Sequence, residues 1–297
     1  MSFPFRLKKW YLDFVADDGR QAGYLYFIAA NLGGVPFGNV ALHVSSPGGR
    51  DLRLSRICRI DRRAWTDCPT IGDGAIETSP NRMCAALQVK GAHLRLEYDD
   101  SVRVSLPADP PLALREGSGI LTWRLIHPGC PVRGVLSTDG RRIVFHGTGY
   151  RDLVEMTIPP WLFSARLLRW GRICCRDLTA VFNRLDLGEG GTWDALLVWK
   201  KERLILATDR FTLAADPGSE GLRIASGGVT LTLENPRVLH AGPVLTGERL
   251  RPALLRRWLA QTAANPYERK FIGPAHICLD GGSHEGTAIH EVVTWNR

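Results

Sequence analysis

No stretch of this chain approaches the roughly 18 uninterrupted apolar residues that a membrane-spanning helix needs, so no such span is read in it. The opening MSFPFRLKKWYLDF carries two lysines but lacks an apolar run ending in a small-residue cleavage site. No secretory leader is read there, and the default address is the cytoplasm. The seven cysteines, at 58, 68, 84, 130, 174, 175 and 278, are odd in number and form neither CxxC nor Cys/His zinc spacings. Reduced thiols and no metal site are expected. There is no P-loop, no Gly-rich turn between strand and helix for a dinucleotide, no HExxH and no GxSxG elbow. These absences leave a cofactor-free site or a pure binding pocket.

Basic clusters are also scarce. The formal charge is +8, but the arginines are spread singly along the chain rather than gathered with stacking aromatics, which argues against a nucleic-acid partner. Helical periodicity is confined to ERLRPALLRRWLA, where Leu250, Leu254 and Trp258 recur four apart with arginines flanking them. One amphipathic helix is expected there, packed on a sheet or barrel mouth, with peripheral membrane contact as the other reading.

What the chain has in quantity is short β-like runs divided by Gly, Pro, Asn and Asp: GYLYFIA, NVALHVSS, HLRLEY, SVRVSL, RIVFHGTGY, LTAVFNRLDL, VTLTLE and IHEVVTW. Alternation with period two puts one side of each strand inward. At 297 residues with 44% apolar side chains, the chain can build two β domains. The Pro-rich stretch LPADPPLALREGSG, residues 106–119, is the best linker, and the expected division is 1–112 and 113–297. Each half opens on a Trp-led strand, around Trp10 and Trp123, which suggests related barrels in tandem.

Within FHGTGYRDLVEM, a strand is expected to reach a Gly-x-Gly turn near Gly147 and Gly149. Period two puts His146, Tyr150 and Asp152 on one face and turns Arg151 outward. A carboxyl group beside a phenol in a dry barrel has its pKa raised by desolvation and becomes a proton donor near neutral pH. The plainer alternative has Asp152 accepting bonds from turn amides and Tyr150 packing in the core. His127 and His146 are possible bases, each also readable as a satisfied structural histidine. The nine tryptophans, Trp123, Trp161 and Trp170 among them, serve core packing or shelter a carbocation.

Residues 122–172 contain Trp123 with Pro128, then Gly149-Tyr150-Arg151-Asp152, then Trp170-Gly171-Arg172. This order resembles the carotenoid 1,2-hydratase (hydroxyneurosporene synthase) family and its relatives, the lipocalin-like Diels-Alderases. Weaker likenesses are WYLDFVADDG at the start and EGTAIHEVVTW, with Glu291, at the end. The resemblance implies an all-β chain of two tandem lipocalin-like (calycin) antiparallel β-barrels, no cofactor, and a hydrophobic small-molecule substrate. It also implies that Asp152 protonates an isoprenoid double bond, with Tyr150 orienting it. Trp123, Trp161, Trp170, Arg172 and Glu291 then fall to substrate binding. The chain departs from the family's His-x-Trp, reading Leu121-Thr122-Trp123, and MTIPPW lacks the family's Asn-Trp/Phe-Gly. The loss of that histidine favours acid-initiated cyclisation or isomerisation over hydration, with a pericyclase or a non-catalytic carrier as alternatives.

Overall fold

The computed structural model describes residues 5–45, 51–89, 91–109, 112–117, 119–138, 140–215, 220–243 and 266–295. The amphipathic segment 248–260 lies outside the described residues. Among those that are described, no helix is long and apolar enough to cross a membrane.

The first sheet is built from β1 (Phe5–Ala16), β2 (Ala22–Leu32), β3 (Val35–Ser45), β4 (Leu52–Cys58), β5 (Thr70–Ile71), β6 (Gly74–Ser79), β7 (Arg82–Val89), β8 (Ala92–Asp99), β9 (Leu112–Glu116), β10 (Gly119–Thr138) and β11 (Arg141–Met156). Its order is β4-β3-β2-β1-β11-β10-β8-β7-β6-β5, with β9 on the side of β10. The second uses β12 (Leu167–Cys175), β13 (Leu178–Asp186), β14 (Thr192–Lys200), β15 (Arg203–Thr208), β16 (Thr212–Ala215), β17 (Leu222–Ser226), β18 (Val229–Leu233), β19 (Arg237–Pro243), β20 (Tyr267–Leu279) and β21 (Gly282–Thr294). Its order is β15-β14-β13-β12-β21-β20-β18-β17-β16, with β19 on β20. Apart from β5, each strand of the first sheet has a counterpart in the second, so both barrel-like sheets are wound on one plan.

That plan corrects two expectations. The chain divides into Met1–Arg103 with Pro110–Pro159, and Val104–Asp109 with Pro160–Arg297. The prolines of 106–119 therefore do not separate the barrels, because β10 and β11, which follow them, close the first sheet against β1. The counterpart of β1 and its Trp10 is β12 with Trp170; Trp123 sits on β10.

In the first unit, alternate side chains build an apolar core from Trp10, Leu12 and Phe14 of β1, Leu25 and Phe27 of β2, Leu94, Leu96 and Tyr98 of β8, and Leu153 of β11. Each such fully buried side chain contributes about 1.5–3 kcal/mol. The expected Gly-x-Gly turn is instead strand, since β11 runs unbroken through it. The glycines admit neighbours. A Cβ on Gly149 would stand 2.4 Å from the Tyr98 ring, and Tyr98 is fixed by its hydroxyl donating to the Asp13 carbonyl at 3.3 Å. Gly149→Ala is accordingly expected to cost about 1–3 kcal/mol, read as a shifted midpoint in chemical denaturation.

Candidate active site

Strands β1 and β11 each carry the sequence Tyr-x-Asp, as Tyr11-Leu12-Asp13 and Tyr150-Arg151-Asp152. The antiparallel register sets Tyr11 opposite Asp152 and Asp13 opposite Tyr150. Cross-strand partners share a face, so the two motifs form a square of alternating phenol and carboxyl groups. Leu12 and Leu153 point into the core, so the square occupies the opposite face of the sheet. That face is also buried: Asp13 and Tyr150 are 0% exposed and Asp152 only 5%.

Within the square each tyrosine hydroxyl donates to the aspartate two residues on, Tyr11 to Asp13 Oδ2 at 3.0 Å and Tyr150 to Asp152 Oδ2 at 2.8 Å. Asp152 Oδ2 accepts a second bond from Trp123 Nε1, also at 2.8 Å. Asp152 Oδ1 is buried and has no hydrogen-bond partner among the described residues. Leu125 of β10 stands opposite Asp152 and presents hydrocarbon to it. Burial lifts the Asp152 pKa to about 6; the bonds from Trp123 and Tyr150 and the charge of Lys9 pull it down, and the charge of Asp13 pushes it up. With both donors on Oδ2, the proton of the neutral acid belongs on Oδ1.

Aromatic rings surround the square. Tyr11 lies 5.9 Å from Tyr150 and 5.3 Å from Tyr26, which lies 4.9 Å from Tyr24. Lys9 Nζ is 4.1 Å from the centre of the Tyr26 ring. A cation therefore already rests against this tyrosine wall, held by the negative ring faces.

The sequence placed Tyr150 and Asp152 on one face, and the structure brings Trp123 to the same carboxylate. Arg151 does not turn outward into water. It is buried, bonded to both carboxylate oxygens of Asp100, and lies 5.5 Å from the Tyr98 ring centre. His127 is not beside Asp152 either. A bulge between Leu125 and Cys130 pairs it with Arg151, and its pKa is lowered by burial and by that guanidinium. His146 shares the parity of Tyr150 but is exposed near the far end of β11. Neither histidine reaches the acid.

Trp161, Trp170, Arg172 and Glu291 belong to the second unit. Trp161 is half-buried in the turn after β11. Trp170 and Glu291 face each other across β12 and β21, and Lys270 bonds Glu291 with its Nζ 5.9 Å from the Trp170 ring centre. Arg172 is buried and donates to Cys174 Sγ at 2.9 Å. Tyr11, Asp13, Tyr24, Tyr26 and Lys9 are the residues that sequence reasoning missed. The signal for the first two was the repeated Tyr-x-Asp, present in WYLDF and again in GYRDL.

No protein-family model matches the chain, and no curated protein matches it in sequence. Solved structures do match. Kievitone hydratase from Nectria haematococca superposes with a TM-score of 0.68 at 10% identity, covering 97% of this chain and 88% of that one. CghA, solved alone and with Sch210972, gives 0.65 at 11% identity in the unliganded form, covering 98% and 88%. A candidate AttH protein of Nitrosomonas europaea gives 0.63 at 13%, covering 98% and 93%. The fold is shared. It is the lipocalin-like double β arrangement, matched over almost the whole chain, while identities this low speak only to the fold.

Proposed function

We propose that the protein is a cofactor-independent enzyme that protonates a carbon–carbon double bond of a hydrophobic, isoprenoid- or polyene-type substrate. The reading rests above all on Asp152, a buried carboxyl group with its pKa lifted to about 6, whose Oδ2 is held by two donors while Oδ1 has no partner among the described residues. The proton passes from Oδ1 to one alkene carbon, and the other carbon becomes a cation. The clustered rings of Tyr11, Tyr26 and Tyr150 are the groups that would stabilise it in this reading. Capture by a second double bond of the same molecule, followed by proton loss, gives cyclisation. Proton loss alone gives isomerisation, and capture by water gives hydration. With Leu121 where the hydratases have histidine, and with neither His127 nor His146 at the acid, the reading favours cyclisation or isomerisation. The fold shared with kievitone hydratase and CghA supports an enzyme of this general kind.

The test is incubation of purified protein with a panel of isoprenoid, polyene and polyketide-like olefins, with products resolved by mass. An unchanged mass at a new retention time is expected, whereas a gain of one water would establish hydration. Binding without any product across the panel would leave a carrier and overturn the enzymatic reading. Tyr150→Phe removes a donor that favours the ionised form of Asp152. Its pH–rate profile should move to higher pH, with turnover at the optimum lowered by about tenfold or less.

A further inference from the structure

The barrel-like sheet of the second unit carries a row of arginines that the acid site does not use. The register sets Asp194 opposite Arg184, Arg184 opposite Arg169, Arg169 opposite Val292 and Val292 opposite Arg269, so three guanidinium groups share one face across four adjacent strands, β13, β12, β21 and β20. The next row on that face is Phe182, Gly171, His290 and Phe271. Beyond it, Ile173, Ala180 and Ala288 enter the apolar core, so the arginines lie on the inward-facing side of the sheet.

Two of the three are neutralised. Arg184 grips Asp194 with two nitrogens, at 3.0 and 2.6 Å, and also donates to the Phe211 carbonyl. Arg269 pairs with Glu220. Asp186, on the same strand as Arg184, accepts from the Gly188 amide at 2.7 Å, and it and Glu220 act on Arg169 only by their charge at a distance. Arg169 is half-buried and has no ion pair or hydrogen bond among the described residues. A like charge directly across the strand pair is unfavourable unless something offsets it.

A second observation points to the same ligand chemistry. His290 is 1% exposed and stacked on Phe271 at 4.6 Å between ring centres. Neither of its ring nitrogens meets a hydrogen-bond partner in good geometry among the described residues, although the Glu220 backbone lies near enough to favour the charged ring. Burial, reinforced by Arg269 and Lys270, keeps the ring neutral, with a pKa of about 4. A neutral imidazole always carries one N–H to donate.

We propose that this part of the second unit is a binding site for an oxyanion group, carboxylate or phosphate, which takes the open donors of the Arg169 guanidinium and a hydrogen bond from His290. A planar guanidinium gives such a group two parallel bonds. The site is built from residues of the second unit, and it does not rest on the proton-transfer reading.

The test is calorimetric titration of the full chain with inorganic phosphate and, separately, with dodecanoate. Binding of phosphate identifies a free oxyanion as sufficient, and binding of dodecanoate alone identifies the head of an amphiphile. Arg169→Gln should weaken whichever binds by about tenfold or more. Glu220→Gln, which releases Arg269, should tighten it, and it still decides the matter if Arg169→Gln fails to fold. Asp152→Asn should bind as the unaltered protein does. Absence of binding by both probes, or affinities unmoved by both Arg169→Gln and Glu220→Gln, would overturn the site.

Discussion

Replacing Asp152 with asparagine is expected to lower turnover on the identified olefin by about 10²-fold or more while leaving ligand affinity within a few-fold, because the amide keeps the acceptor for Trp123 and Tyr150 but has no acidic proton. A loss of about tenfold or less would mean that the group only polarises the substrate, as in a pericyclic reaction. The unaltered enzyme should lose rate as pH rises through about 6, where Asp152 ionises. Stability should fall over the same range. The folded-state pKa lies above the ordinary 3.8, so the acid's contribution is complete below about pH 3.8 and is lost as pH rises through about 6. Across that window the loss is about 3 kcal/mol, at 1.36 kcal/mol per pKa unit. Asp152→Asn should therefore match the parent near pH 4 and exceed it by about 2–3 kcal/mol at pH 8, measured by denaturant titration at both pH values. A variant that is less active and more stable is the signature of a group kept in place for chemistry at a cost in stability.

Lys270→Met is expected to destabilise the protein by about 3–5 kcal/mol, because it strands two buried carboxylates. Lys270 is 0% exposed and lies between Glu268, at 3.1 Å, and Glu291, both themselves buried. The melting temperature should fall by roughly 6–20 °C, at about 2–4 °C per kcal/mol. Adding Glu268→Gln and Glu291→Gln should recover most of the loss, since neutral amides tolerate the absence of the ammonium group. If Lys270→Met alone were neutral, the two carboxyl groups would have to share a proton rather than depend on the lysine.

Period-two alternation in HLRLEY and RIVFHGTGY was enough to read an all-β chain, and it placed Tyr150 and Asp152 together. It misjudged Arg151 for a specific reason. Alternation assigns a side chain to one of two faces, and the step from "other face" to "water" fails here because both faces of β11 are buried around that point. The bulge at His127 was equally invisible, since it depends on which residue β10 sets against Arg151. Tyr11 and Asp13 were missed because their significance lies in strand pairing between the first strand and one more than a hundred residues later. The proline-rich stretch misled for a related reason: composition marks where a chain turns, but only pairing reveals which sheet receives the next strand. Glu291 was noticed in the sequence, while Lys270, its partner, carried no local signal at all.

The pairing of β1 with β11 also bears on biosynthesis. On the ribosome, the strand ending at Ala16 gains its second neighbour only after Met156 has been made. At ~5–20 residues per second, that is a delay of roughly 7–28 s. During that interval the nascent chain presents a tyrosine- and aspartate-bearing strand with one open edge, an invitation to intermolecular pairing. Its emergence is thus the stretch of synthesis in which a chaperone would matter most.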